Sequence, residues 1–373
     1  MLEVSRNQAL AYRIAEHGLH RTAADPYELP LLDLGLQDSM RDTALLSLAA
    51  RVPGPVTPES LVDDPRLALV WSHRGAPHFH RRADLPELVS ALVPIDDPDA
   101  LARMLWQQKE MRATEVSAVD VLFTTARAIR KVVTKPMTKG AVSTAITKIL
   151  PPAFSRWCRG CNATHVHEQL MRIATLHGGV RLEPGQTPAT LAPLEERGRL
   201  STRPAPKAVS HLLHQYLRFN GPATPGDAAG FVGTARNCVQ ETWPADEVTE
   251  VKVDSRRAFV PTDRLPALEN PPTPSGVRLL PPFDPYTQAR DKAVLVPDKA
   301  RAKEVWKILG SPGAILVDGE ILGVWRTKGA GKRLTFTLTE FDPLRRADRA
   351  AAEEEAERAA TARGYPDVSV KWS

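Results

Sequence analysis

Two clusters of side chains in this 373-residue sequence could do chemistry. The first is Cys158-x-x-Cys161-x-x-x-His165-x-His167, a compact set of soft and borderline donors. Thiolates and imidazoles are the ligands that zinc prefers. Finger-type sites separate their two ligand pairs by a longer loop, and so compact a set closes a tetrahedron with difficulty. The competing reading is a buried cysteine pair beside a helix N-terminus, with Thr164 capping and the histidines reaching phosphate. The expectation is no metal; Cys158, Cys161, His165 and His167 are the candidates should one bind. The second cluster, His73, Arg74, His78, His80, Arg81 and Arg82, is the densest basic patch in the chain. On a hairpin beside helix ends, such residues bind phosphates or enter a narrow minor groove. The bland alternative is an exposed basic wing with no selective partner.

The elements that must position these residues have a recurring pattern. It is clearest over residues 208–260. AVSHLLHQYLRFNG places Val209, Leu212, Leu213, Tyr216, Leu217 and Phe219 mostly at helical spacing. Gly221-Pro222 interrupts it, and Thr224 with Pro225 opens a second helix that Gly233 stops. TARNCVQETWP supplies a third helix, and EVTEVKVDSRRAFVP alternates around an Asp-Ser turn as a wing. This is a winged helix-turn-helix, whose last helix enters the major groove of a duplex.

Weaker copies precede it. The first has a helix Arg6–Gly18, helical stripes over ELPLLDLGLQDS and MRDTALLSLAARV, and a strand-hairpin over LALVWSHRGAPHFHRR. A short helix from Asp84 follows. A long polar helix from Leu101 to about Val133 leads to the second copy, where TKGAVSTAITKIL and part of RWCRGCNATHVHEQLMRIATLHG are helices and GVRLEPGQTPATLAPLEER is a wing. The expected architecture is α+β: three tandem winged helix-turn-helix units with a C-terminal mixed α/β region. The boundaries are residues 1–95, 96–205, 206–270 and 271–373. In the last region AILVDGEILGVWRTKGAGKRLTFTLTEF is a strand meander, and a charged helix closes the chain. Residues expected to reach DNA are Lys139, Arg156, Arg159, His165, His167 and Gln169 in the second unit. In the third they are Arg236, Asn237 and Gln240 on the recognition helix and Arg256 and Arg257 on its wing. Phe283-Asp284-Pro285-Tyr286 reads as a structural Asp-Pro turn over two packed aromatics.

Composition narrows the class without choosing a partner. The sequence is 42% hydrophobic and 25% charged, with a formal charge of +5, which permits polyphosphate binding without requiring it. No apolar run is long enough for a membrane span, and the amphipathic start, with Glu3 and Glu16, is unlike a signal peptide. Three cysteines leave an odd thiol, which points to a reducing cytoplasm.

Four segments in order, LGLQDS (34–39), SHRGAPHFH (72–80), FNGPATPGDAAGFVG (219–233) and VRLLPPFDPYTQARDKAVLVPD (277–298), resemble the AlkZ/YcaQ-type family of bacterial winged-helix DNA glycosylases. The resemblance covers roughly residues 5 to 345. It implies tandem winged helices around a concave DNA-binding face. It also implies metal-free hydrolysis of the N-glycosidic bond of alkylated or bulky purines, without a cofactor. The family orients its attacking water with Gln-x-Gln or Gln-x-Asp; the tripeptide here is Gln37-Asp38-Ser39. Gln37 matches, whereas Ser39 is a shorter anchor. A glutamine carbonyl accepts from water while its amide donates to phosphate or sugar. Asp38 could act as base or counter-charge, although on a helix it points about 100° away from Gln37. Equally, Gln37 and Asp38 could cap and decorate a helix end. The sequence therefore leads to a DNA glycosylase of a cytoplasmic, nucleoid-associated kind that grips duplex DNA as a monomer. The alternative is a non-catalytic winged-helix regulator or lesion sensor.

Overall fold

A computed structural model describes residues 2–373. Contacts divide the chain into two units: Met1–Pro65 with His214–Asp227 and Ala245–Ser373, and Arg66–Leu213 with Ala228–Pro244. The helices and hairpin read at residues 208–260 occur as Pro206–Asn220, Pro225–Val232, Arg236–Gln240 and the antiparallel pair Val248–Val253/Arg256–Pro261. The dividing lines fall inside the first two of those helices.

The first unit opens with helix Arg6–Glu16, whose start is fixed by a reciprocal box: Ser5 accepts from the Gln8 backbone and the Gln8 side chain accepts from Ser5. Its inner face, with Ala9 and Tyr12, packs on Val4, Val251, Val253 and Val260 of a three-stranded sheet. A second sheet runs in the order Val277–Leu280, Gly313–Val317, Glu320–Ala330, Arg333–Glu340, Asp367–Trp372. Its middle three strands are the expected antiparallel meander, and Val277–Leu280 adds a further antiparallel strand to it. The last is parallel to Arg333–Glu340 and corrects the expectation that a helix closes the chain. A parallel return needs a crossover, and the charged helix Arg346–Ala362 is that crossover. Its alanines Ala352, Ala356, Ala359 and Ala360 lie on Leu334, Phe336 and Leu338. Gly313 is obligatory there, because a Cβ would fall 2.2 Å from the Trp325 ring.

Two buried ion pairs join distant segments of this unit. Arg51 grips Asp284 through two hydrogen bonds of 2.8 Å with both side chains fully buried. Arg13 holds Asp291 at 3.0 and 2.6 Å and also donates to the Gly221 and Pro222 carbonyls. Asp284 accepts from the Tyr286 backbone, so the Phe-Asp-Pro-Tyr turn is built into the core.

The second unit has strands ordered Pro77–Arg81, Leu67–Trp71, Val180–Leu182, Thr190–Pro193, Met137–Thr138. Helices Ala118–Val132 and Glu168–His177 pack together beside it. The single helix expected from Leu101 to Val133 is instead broken into Asp97–Arg103, Gln108–Arg112 and Ala118–Val132. Leu105 and Glu115 take left-handed φ values of 50° and 55°, which no continuous helix tolerates. Ser117 then caps the next helix by accepting from Asp120 N. A separate two-stranded hairpin, Ser155–Cys158/Ala163–Val166, precedes helix Glu168–His177.

Candidate functional site

Gln37 does not lie on a helix. The 3-10 turn Pro30–Asp33 ends at Gly35, whose φ of 83° suits glycine, and the chain then runs extended through Leu36–Gln37. In extended backbone, alternate side chains share a face. Accordingly Gln37 Nε2 donates to Ser39 Oγ at 2.7 Å, while Asp38 turns away and accepts from Ala44 N at 3.1 Å. The helical geometry expected for this tripeptide is corrected; the period is two.

Burial sharpens the chemistry. Gln37 is 6% exposed, and its Oε1 is buried without a hydrogen-bond partner. A buried carbonyl oxygen left unmatched costs about 1–3 kcal/mol, so it is primed to accept from an incoming O–H. Asp38 is already employed: it caps helix Thr43–Ala49, whose own N-cap residue Asp42 sits at φ 66° and makes no side-chain cap. Burial pushes the Asp38 carboxyl above its ordinary value, and the Asp42 charge adds to the rise. Thr43, which carried no expectation, has its Oγ 2.9 Å from the Met40 carbonyl and 3.1 Å from the Gln37 carbonyl. Its only sequence signal is a Thr at the start of the apolar run TALLSLA.

In the second unit the expected basic wing is rearranged. His73, His78 and His80 are buried at 0–3% exposure, because Leu67–Trp71 is buried along its length and the centre of Pro77–Arg81 is buried with it. Ser72 Oγ lies 2.9 Å from His78 Nδ1 and 3.0 Å from His80 Nε2. His78 Nδ1 also faces the Ala76 carbonyl at 2.9 Å, which can only accept. The ring therefore carries its proton on Nδ1, and the serine hydroxyl is left to donate to His80. Burial, with smaller contributions from His80 and Arg74, pushes His78 well below its ordinary range. All three imidazoles belong to the core, and the expectation of a solvated cationic patch is corrected. Arg74 donates to the Phe231 carbonyl and lies 5.0 Å from that ring; Arg81 pairs with Asp84 and Arg82 with Glu195.

The remaining candidates divide by exposure. Arg156, Arg159, Arg236, Asn237, Gln240 and Arg257 are exposed. Lys139 is held by Glu168 at 2.6 Å, and Arg256 is paired with Asp227 and Asp291. Gln169 is buried, bonding the Arg103 and Arg74 carbonyls, and His167 is buried with Nδ1 3.5 Å from Gln107 Nε2. Cys158, Cys161 and His165 gather on the hairpin with ligand atoms within 4.8 Å of one another; His167 is not among them. That corrects both halves of the cysteine reading: the pair lies on a hairpin, Cys161 is exposed, and Thr164 is a strand residue.

With this geometry established, comparison with known proteins is informative. A family model described as DNA glycosylase AlkZ-like matches residues 32–362. The interstrand DNA cross-link repair glycosylase of Streptomyces sahachiroi is 33% identical over 174 residues, 44% of this chain and 45% of that protein. The chain thus spans about half the length of the curated relative it matches. Among solved structures, the Streptomyces sahachiroi DNA glycosylase AlkZ superposes with a TM-score of 0.75 at 22% identity, covering 100% of both chains, which establishes a shared fold.

Proposed function

Because this chain belongs to the AlkZ-like DNA glycosylase family, we propose that it hydrolyses the N-glycosidic bond of alkylated or bulky purines in duplex DNA, with Gln37 holding the attacking water. The observation that carries this reading is the buried, unmatched Oε1 of Gln37. Its amide is tied to Ser39, so the carbonyl is held in one orientation. In an N-alkylated purine the base is cationic and departs with the electron pair of the C1′–N9 bond. The water oxygen then bonds C1′, and its proton passes to solvent. A cationic leaving group needs no strong general acid, which suits a tripeptide whose one carboxylate, Asp38, is spent on a helix cap. Gln37 contributes position and dipole rather than proton transfer.

Duplex DNA is the partner, gripped by tandem winged modules of a monomer in the cytoplasm. Arg156, Arg159, Arg236, Asn237 and Arg257 are the contacts that their exposure supports. His73, His78 and His80 serve the core instead. No helix among the described residues is long and apolar enough to cross a membrane.

The decisive experiment is base release from alkylated duplex DNA, read as alkali-labile abasic sites, with Gln37→Ala as the control. Full activity in that variant removes Gln37 from the mechanism. Ser39, in place of the second Gln or Asp of the family pattern, favours a second reading, a lesion sensor that binds without cutting. It predicts mobility shifts with no abasic sites.

A further inference from the structure

Away from the Gln37 loop, the hairpin Ser155–Cys158/Ala163–Val166 gathers the one group of three or more potential metal ligands among the described residues. Cys158 and His165 are half-buried and Cys161 is exposed, and both cysteines are free thiols. Two local features prepare them for a cation. His165 Nδ1 lies 2.8 Å from the Val166 carbonyl, which can only accept, so the proton is on Nδ1 and Nε2 is the nitrogen able to bind an ion. Asn162, at a left-handed φ of 49°, turns the chain back so that His165 returns to the cysteines.

We propose that Cys158, Cys161 and His165 bind a zinc ion, with the fourth tetrahedral position open to solvent. Two thiolates and an imidazole select zinc over hard cations such as calcium or magnesium. With bonds of about 2.3 Å to sulfur and about 2.0 Å to nitrogen, neighbouring ligand atoms of a tetrahedral zinc lie about 3.5–3.8 Å apart. Atoms already within 4.8 Å close on the ion through side-chain rotation alone. His167 is not the missing ligand, since it is buried toward Gln107; Glu168 is not either, since Lys139 and Arg172 occupy it at 2.6 and 2.7 Å. The objection that so compact a set cannot close a tetrahedron applies to four protein ligands, whereas this site uses three. The ion would tie down a hairpin that presents Arg156, Arg159 and the 62% exposed Trp157 to solvent.

The test uses the full chain, purified under reducing conditions without a histidine tag. Elemental analysis is expected to find about one zinc per chain. The variants C158S, C161S and H165A are each expected to fall below about a tenth of that content. Cobalt added to the metal-free protein is expected to give thiolate charge-transfer bands and the intense visible bands of a tetrahedral ion, both absent in C158S. Circular dichroism reports whether each variant folds, and the cobalt titration of the unsubstituted chain decides the matter even if none does. Protein that takes up neither zinc nor cobalt overturns the proposal, as does a Cys158–Cys161 disulfide in reduced preparations or metal uptake that survives all three substitutions. The proposal stands or falls independently of base excision.

Discussion

Gln37 Nε2 donates to Ser39 Oγ at 2.7 Å, and this one bond fixes which end of the glutamine amide is left as the buried, unmatched acceptor. Gln37→Ala is expected to lower the excision rate by about 10²–10³-fold, the usual cost of removing one positioned polar group at a reacting centre. Ser39→Ala removes only the orienting bond and is expected to cost about tenfold. Ser39→Gln, which installs the family's longer second residue, is expected to raise the rate. Single-turnover kinetics on alkylated duplex separates the three.

Asp38 is expected to matter for stability before chemistry. Asp38→Ala should lower stability by about 1–2 kcal/mol through loss of the cap on Ala44 N. Asp38→Asn keeps an acceptor there and should retain activity within a few-fold. The folded carboxyl titrates above its unfolded value, because of burial. Its stabilising contribution is therefore present below the unfolded value and is lost as pH rises through the folded one. Asp38→Asn should accordingly gain stability relative to the parent above that range, measured by denaturant unfolding as a function of pH.

Burial, with a smaller contribution from Arg103, lowers His177 to about 4. The unfolded ring takes up its proton near 6.5, so the stability that the neutral ring contributes is present above that pH. It is lost as pH falls toward about 4. Thermal melts between these values should show an acid-driven fall, which His177→Phe flattens.

Breaking one partner of the Arg51–Asp284 pair leaves a buried uncompensated charge. Either Arg51→Met or Asp284→Leu alone is expected to cost about 3–5 kcal/mol. The double variant should recover much of that loss, read from chemical denaturation of the first unit.

Arg156→Ala and Arg159→Ala should weaken DNA binding on all sequences alike. Every arginine–phosphate pairing so removed is expected to reduce the slope of log affinity against log salt by about 0.9. An unchanged slope in the double variant excludes this hairpin from the DNA-binding surface.

Local periodicity made much of this molecule legible. The stripe through Val209 and Leu217 is a helix, the Asp-Ser turn at 254–255 joins two strands, and Asp318-Gly319 turns the meander as its residue types require. What local pattern missed has a common cause in long-range packing. The Leu101–Val133 stretch has helix-forming composition throughout, yet left-handed residues divide it. The histidines of Pro77–Arg81 look solvated by type, but their strand is covered. Gln37 itself was found by resemblance, whereas the alternation of Gln37, Asp38 and Ser39 depends on Gly35 ending a 3-10 turn. Whether Cys158, Cys161 and His165 meet turns on one left-handed asparagine, which spacing alone does not reveal.

The ion pairs that span 233 and 278 residues bear on how this polypeptide is made. Residues 66–213 can find nearly all their neighbours early in translation, whereas the opening 65 residues must wait for partners near 284 and 291 to leave the ribosome. The glutamine loop is thus an early-synthesised, late-maturing part, exposed to chaperones and proteases until the final third arrives.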